Sequence, residues 1–215
     1  MANRPVFVPF KKAPYVDVFM PEFDWNGGFA LSQKRKNITA LHEAFQTRFP
    51  DRKVLEISSK SMQELGVKLS AFHLMKHLPS LGRSIPLECV FQGGKVFSAG
   101  GPYTDLYEGT ARDAKRDPRL KESGMLRHFY FEGQQFPLRP TTAFYDWLYI
   151  NALLENPELA RQLLEYDAFT DIEFNPGKSL NCQAQSAALF VSLSHQGLLD
   201  RCREFESFVQ LLQST

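Results

Sequence analysis

Ile85-Pro-Leu-Glu-Cys-Val-Phe-Gln-Gly-Gly-Lys95-Val-Phe97 is an apolar run interrupted by three polar groups, Glu88, Gln92 and Lys95. The spacing predicts a helix over 87–97, entered through Pro86. On such a helix the three polar residues stand at i, i+4 and i+7 and share one stripe. Leu87, Val90 and Phe91 fill the other faces. A carboxylate, an amide and an ammonium on a mostly apolar helix make a small reactive surface. An exposed polar stripe with an ordinary charge pair fits the same spacing equally well.

Upstream, residues 1–62 read as an irregular, strand-rich opening. Val6-Phe-Val and Val16-Asp-Val-Phe alternate as short strands bounded by prolines. Trp25-Asn-Gly-Gly reads as a turn, Phe29-Ala-Leu-Ser as a strand and 38–49 as a helix. Val54-Leu-Glu-Ile-Ser follows as a strand. Between them lies Ser32-Gln-Lys-Arg-Lys36, the densest basic cluster, read as a loop that is either merely solvated or an arm meeting phosphate.

From residue 63 the pattern is mostly helical. Gly100-Gly-Pro-Tyr103 breaks the helix of 87–97, and 110–121 forms a charged helix or a pair of turns. Residues 127–131 are extended, with a turn at Glu132-Gly133. Thr141 or Thr142 caps a long apolar helix ending near 154, and Pro157 opens another to about 166. Asn175-Pro-Gly-Lys is a turn, and helices cover 184–193 and 200–212. The expected fold class is α+β: a helix-dominated single domain over 63–215, with a strand-containing N-terminal extension, 1–62, packed on it.

Composition narrows the function. The chain has 215 residues, 43% of them hydrophobic, enough to bury a sizeable core. Lys plus Arg total 25 against 24 acidic residues, which argues against non-specific coating of nucleic acid but leaves room for one local basic groove. Cys89, Cys182 and Cys202 form no CxxC pattern, so neither a disulfide framework nor a zinc site is expected. His73 and His77 lack a third ligand nearby, and neither a metal nor a cofactor is expected. No apolar leader or spanning window is visible, so the expectation is a cytoplasmic protein without a membrane partner.

Four segments in order resemble the NADAR (YbiA-like) family: Leu69-Ser-Ala-Phe72, then Pro86-Leu-Glu-Cys-Val-Phe-Gln-Gly-Gly-Lys95, then Asn151-Ala-Leu-Leu-Glu-Asn-Pro-Glu-Leu-Ala, then Asn181-Cys-Gln-Ala-Gln-Ser. The resemblance spans roughly 64–195. The opening, with Phe29-Ala-Leu-Ser-Gln-Lys and Leu55-Glu-Ile-Ser-Ser-Lys, looks like the branch found beside DarT-type DNA ADP-ribosyltransferase toxins. It implies an N-glycosidase that removes ADP-ribose from modified guanine in DNA, releasing ADP-ribose, as antitoxin to a DarT-type partner. Cys89 stands where the family often has His, and Thr170-Asp-Ile-Glu-Phe-Asn-Pro replaces a Trp-Gly-rich acidic loop. Those departures bear on base recognition more than on the reaction class.

Cleaving an N-glycosidic bond develops positive charge on the ribose and negative charge on the base, so it needs a carboxylate, a proton source and donors for the diphosphate. On the resemblance, Glu88 is the carboxylate. Lys95 either acts electrostatically, the favoured role, or attacks the anomeric carbon as an amine. Asp171 is the second carboxylate, or else a turn residue. Gln92 binds ribose hydroxyls. Ser70, Phe72 and Tyr103 join the adenine or ribose pocket, and Ser32, Lys34 and Lys36 meet phosphate or the strand. Gln183 contacts ligand or caps a helix, Asn181 is expected to cap, and Trp147 and Tyr149 are expected in the core. Two other functions compete: a non-catalytic module that binds modified DNA or the toxin, and an N-glycosidase for a small nucleotide.

Overall fold

The computed structural model describes residues 1–177 and 179–213. The chain is mixed α+β with several small sheets, helix outweighing strand. It divides into two compact units: Met1–Ser70 together with the segment from Pro157 onward, and Ala71–Asn156.

In the first unit a four-stranded sheet runs in the order Val16–Phe19, Val6–Pro9, Ala168–Thr170, Val54–Glu56. The first two pairings are antiparallel and the last is parallel. Helix Leu31–Gln46 sends Ile38, Leu41 and Phe45 into a core with Val6, Val8, Val54 and Ile172. Helix Gln183–His195 also packs on the sheet. Ala168–Thr170 and Val54–Glu56 are therefore buried at every position, as strands covered on both faces require.

Three expectations change here. Phe29-Ala-Leu-Ser is not a strand: Phe29 is 99% exposed and the helix already begins at Leu31. The basic run at 32–36 is the first part of that helix and not a loop. Gln, Lys and Arg are good helix formers, and the apolar stripe of Ile38, Leu41 and Phe45 continues the same turns. Further on, 200–212 splits into the 3-10 turn Leu199–Cys202 and helix Phe205–Gln213. The turn at Asn175 forms, with its Oδ1 accepting from the Gly177 N–H at 3.0 Å, while Lys178 lies outside the described residues.

The second unit contains a hairpin, Met75–Leu78 with Arg83–Pro86, that the helical reading of this region missed. The buried positions of its first strand are Lys76 and Leu78, so the alternation there passes through a lysine and does not look apolar. Lys76 is neutralised by Glu155 at 2.5 Å. An antiparallel meander follows, Lys95–Phe97, Leu126–Phe131 and Gln134–Phe136. Helix Ala143–Leu154 buries Phe144 and Trp147 against it, with Phe129 stacked on Phe144 at 4.5 Å. Thr142 precedes that helix without capping its backbone, and its hydroxyl donates to Asp146 instead, at 2.8 Å. The charged stretch at 110–121 splits into Ala111–Arg116 and Arg119–Glu122 around Pro118.

Candidate functional site

The decisive helix is shorter than its periodicity suggests. It covers Leu87–Gly93, and Lys95 opens the strand Lys95–Phe97. Gly93 and Gly94 stop it by close approach. A Cβ on Gly93 would meet the Tyr107 ring at 2.5 Å, and one on Gly94 the Tyr130 carbonyl at 2.7 Å. That closeness lets Tyr103 N–H bond Gly93 O and Tyr130 N–H bond Gly94 O, both at 2.7 Å. At the other end no side chain caps the helix. Leu87 and Glu88 donate their N–H groups to Leu74 O and Ala71 O, each at 2.9 Å.

The three polar residues still meet, by a different route. Glu88 and Gln92 are buried at 5% and 7% exposure, so they are not a solvated stripe. Gln92 Nε2 donates to Glu88 Oε1 at 2.9 Å, and Lys95 Nζ donates to Gln92 Oε1 at 2.7 Å. The charges on either side fix the amide's orientation: its oxygen faces the ammonium and its NH₂ the carboxylate. Lys95 Nζ also lies 4.7 Å from the Phe91 ring centroid. Burial holds the Lys95 pKa below the usual lysine range, Glu88 pulls it back up and Lys115 pushes it down again. The arrangement is an amine of reduced basicity tied through an amide to a buried carboxylate.

Elsewhere in this unit Phe72 is half-buried, with Lys115 Nζ 5.2 Å from its ring centroid. Tyr103 bonds the Ser123 hydroxyl, and the Arg119 guanidinium lies 4.4 Å from its ring centroid. Trp147 and Tyr149 are core residues, as expected.

The first unit holds a second buried polar cluster. Glu56 accepts from Ser58 Oγ at 2.6 Å, Thr170 Oγ1 at 2.6 Å and the Ile172 N–H at 2.9 Å. Burial raises its pKa, against those three hydrogen bonds. His42 Nε2 lies 2.8 Å from Thr170 Oγ1. With Glu56 ionised, the single Thr170 hydroxyl proton goes to Glu56, so His42 Nε2–H is the donor. Nearby in sequence, Asp171 Oδ1 accepts from the Glu173 N–H at 3.0 Å and Oδ2 from Gln183 Nε2 at 3.0 Å. Gln183 Nε2 also reaches Ile57 O at 2.7 Å. Gln183 opens its helix, whose N-cap is Cys182, so Asn181 does not occupy the cap position. Sequence reading missed Glu56, Thr170 and His42. The signal for Glu56 was a carboxylate between Leu55 and Ile57 in an otherwise apolar strand.

The remaining predicted residues are dispersed within this unit. Lys34 pairs with Glu173 at 3.0 Å and sits 5.8 Å from the Trp25 centroid. Ser32 and Lys36 are exposed. Ser70 is buried and donates to Val67 O at 2.7 Å. His77 lies in a strand and His73 outside any helix, so the two do not share a helical face. Among the described residues no three His, Cys, Asp or Glu gather as a metal site. Cys89, Cys182 and Cys202 are buried and in no disulfide among the described residues, and burial raises all three thiols, Cys89 to about 11 and Cys202 to about 12. No helix among the described residues is long and apolar enough to cross a membrane.

His42 makes folding pH-dependent. Burial lowers its pKa from 6.5 to about 4. Between those values the unfolded chain binds a proton that the folded one refuses. Stability is thus fully present above 6.5 and falls as pH drops through the window. Glu56 acts in the opposite sense, because a raised carboxyl costs stability as pH rises past its ordinary value. The His42 contribution between about pH 7 and about pH 5 is on the order of 2 kcal/mol, an upper bound for a ring that keeps some access to solvent. His42→Gln retains an N–H donor without the titration. Its urea midpoint is expected to vary much less with acid than that of the parent, and parallel curves would remove His42 as the source.

The chain is thus α+β, as expected, and carries a buried carboxylate–amide–amine relay at Glu88, Gln92 and Lys95. Residues 2–215, the opening included, match the family described as DarT1-associated NADAR antitoxin. The chain belongs to that family. No curated protein matches it.

Proposed function

We propose that this antitoxin is an ADP-ribosyl glycohydrolase that removes ADP-ribose from guanine modified by its DarT1 partner in DNA, acting in the cytoplasm. The observation that carries the reading is the relay Lys95–Gln92–Glu88. A lysine whose ammonium rests on a neutral amide, and whose basicity burial lowers, supplies free amine at neutral pH more readily than an ion-paired one. This shifts the preferred role of Lys95 from electrostatics to covalency. Lys95 Nζ attacks the anomeric carbon as the bond to guanine breaks, and the bonding pair leaves with the base, which takes up a proton. Ring opening gives a protonated imine, and water hydrolyses it to free ADP-ribose and the amine. Glu88 moves the protons and balances the cationic intermediate, while Gln92 positions both. Asp171, held by Gln183 and the Glu173 N–H, is the second carboxylate of the proposal.

The test is to incubate the protein separately with ADP-ribosylated guanine in DNA, ADP-ribosylated thymine in DNA, a modified protein and a small ADP-ribosylated nucleoside. Release of ADP-ribose from guanine in DNA is expected. Tight binding of that DNA with no release would replace the reading by that of a non-catalytic binder. Release from the nucleoside alone would point to a small-nucleotide enzyme.

A further inference from the structure

Helix Leu31–Gln46 buries one face and shows another. Ser32, Arg35, Lys36 and Thr39 follow at spacings of three, one and three, and so share a side of the helix. With Leu31 and with Met62, a residue outside the helix, they line an open concavity of about 670 Å³. Arg35 and Lys36 are exposed and form no ion pair among the described residues, whereas Lys34 is turned to Glu173. Since acids and bases nearly balance over the whole chain, this pair is a local excess of positive charge. Glu43, about a turn beyond Thr39, is the acid on the same lining.

The groove is also apolar where a soluble surface has no need to be. Leu31 is 47% and Met62 55% exposed, and Phe29, two residues from Leu31, is 99% exposed. An aromatic ring left in water six residues ahead of two unpaired cations in the chain supplies the two features that hold single-stranded nucleic acid, cations that track phosphates and a ring that stacks on a base. A duplex buries its base faces and offers the ring nothing to stack on.

We propose that this groove binds an unpaired nucleic-acid strand, with Arg35 and Lys36 on consecutive phosphates and Phe29 stacked on a base. The proposal deepens the DNA-directed reading above and rests on it. It makes Phe29 and Met62 determinants of strand preference.

The probe is an unmodified, fluorescently labelled single-stranded oligonucleotide, titrated at several salt concentrations. Binding is expected to weaken with salt. Arg35→Gln combined with Lys36→Gln should flatten the log–log salt slope by about 1.4, roughly 0.7 for each phosphate of a single strand that is no longer neutralised. Phe29→Ala should weaken binding about five- to a hundredfold with the salt slope unchanged, the range for one base–aromatic stack, and Phe29→Tyr should restore it. All these side chains are exposed, and circular dichroism checks that each variant folds. Unchanged oligonucleotide binding in both variants would overturn the proposal. Loss of binding to the purified toxin, with oligonucleotide binding intact, would also overturn it and make the groove a protein interface. Because the probe carries no ADP-ribose, its binding is independent of whether the protein cleaves a glycosidic bond, so failure of either idea is visible separately.

Discussion

Glu88→Gln is expected to slow ADP-ribose release by about a hundred- to ten-thousandfold, the range for removing a positioned acid–base group. ADP-ribose binding should stay within about tenfold, roughly 1.4 kcal/mol. The two effects differ in size because, in the proposed mechanism, Glu88 acts on charge that develops only in the transition state. The substituted amide is nearly the same size and still offers an oxygen to Gln92 Nε2, which now donates to Glu88 at 2.9 Å. The fold should survive, with an unchanged melting temperature as the check. Single-turnover release on modified guanine DNA reads the effect, and full activity in the variant would remove Glu88 from the mechanism.

The second large effect belongs to Lys95. Borohydride added during turnover should trap a covalent protein–ADP-ribose adduct, identified by mass spectrometry on the peptide containing Lys95. Lys95→Arg keeps the charge but offers no free amine at any accessible pH. It should give no adduct, with turnover reduced by at least about a thousandfold, which corresponds to roughly 4 kcal/mol of barrier. Substantial activity in that variant, together with no trapping in the parent, would return Lys95 to a purely electrostatic role. The two experiments are independent: Glu88→Gln can still form an adduct that decays slowly, whereas Lys95→Arg cannot form one.

Glu88 and Gln92 were legible because residues at i and i+4 touch on any helix, and the structure keeps that pairing. Lys95 was placed on that helix by extending its period past Gly93-Gly94, a stop signal present in the sequence. The residue joins the relay from the start of a strand instead. The hairpin at 75–86 was hidden because one of its inward positions is Lys76. The beginning of helix Leu31–Gln46 was obscured in a similar way, since a basic run reads as a loop until the apolar stripe behind it is followed back to residue 31. The Glu56–Thr170 hydrogen bond joins residues 114 apart through a parallel strand register, which no local pattern encodes.

That register has a consequence for how the chain is made. Ala168–Thr170 lies between the strands Val6–Pro9 and Val54–Glu56, so one of the two interior strands of the sheet is the last of the four to be synthesised. Until residue 170 has left the ribosome, two apolar strands from the first sixty residues have no neighbour on that side. All of Ala71–Asn156 is translated in the meantime. Such long-range pairing slows folding and leaves unpaired edges open to other chains. A truncated product ending before this segment would expose those edges permanently, so an antitoxin gene cut short there should yield aggregate or a protease substrate instead of a smaller working protein.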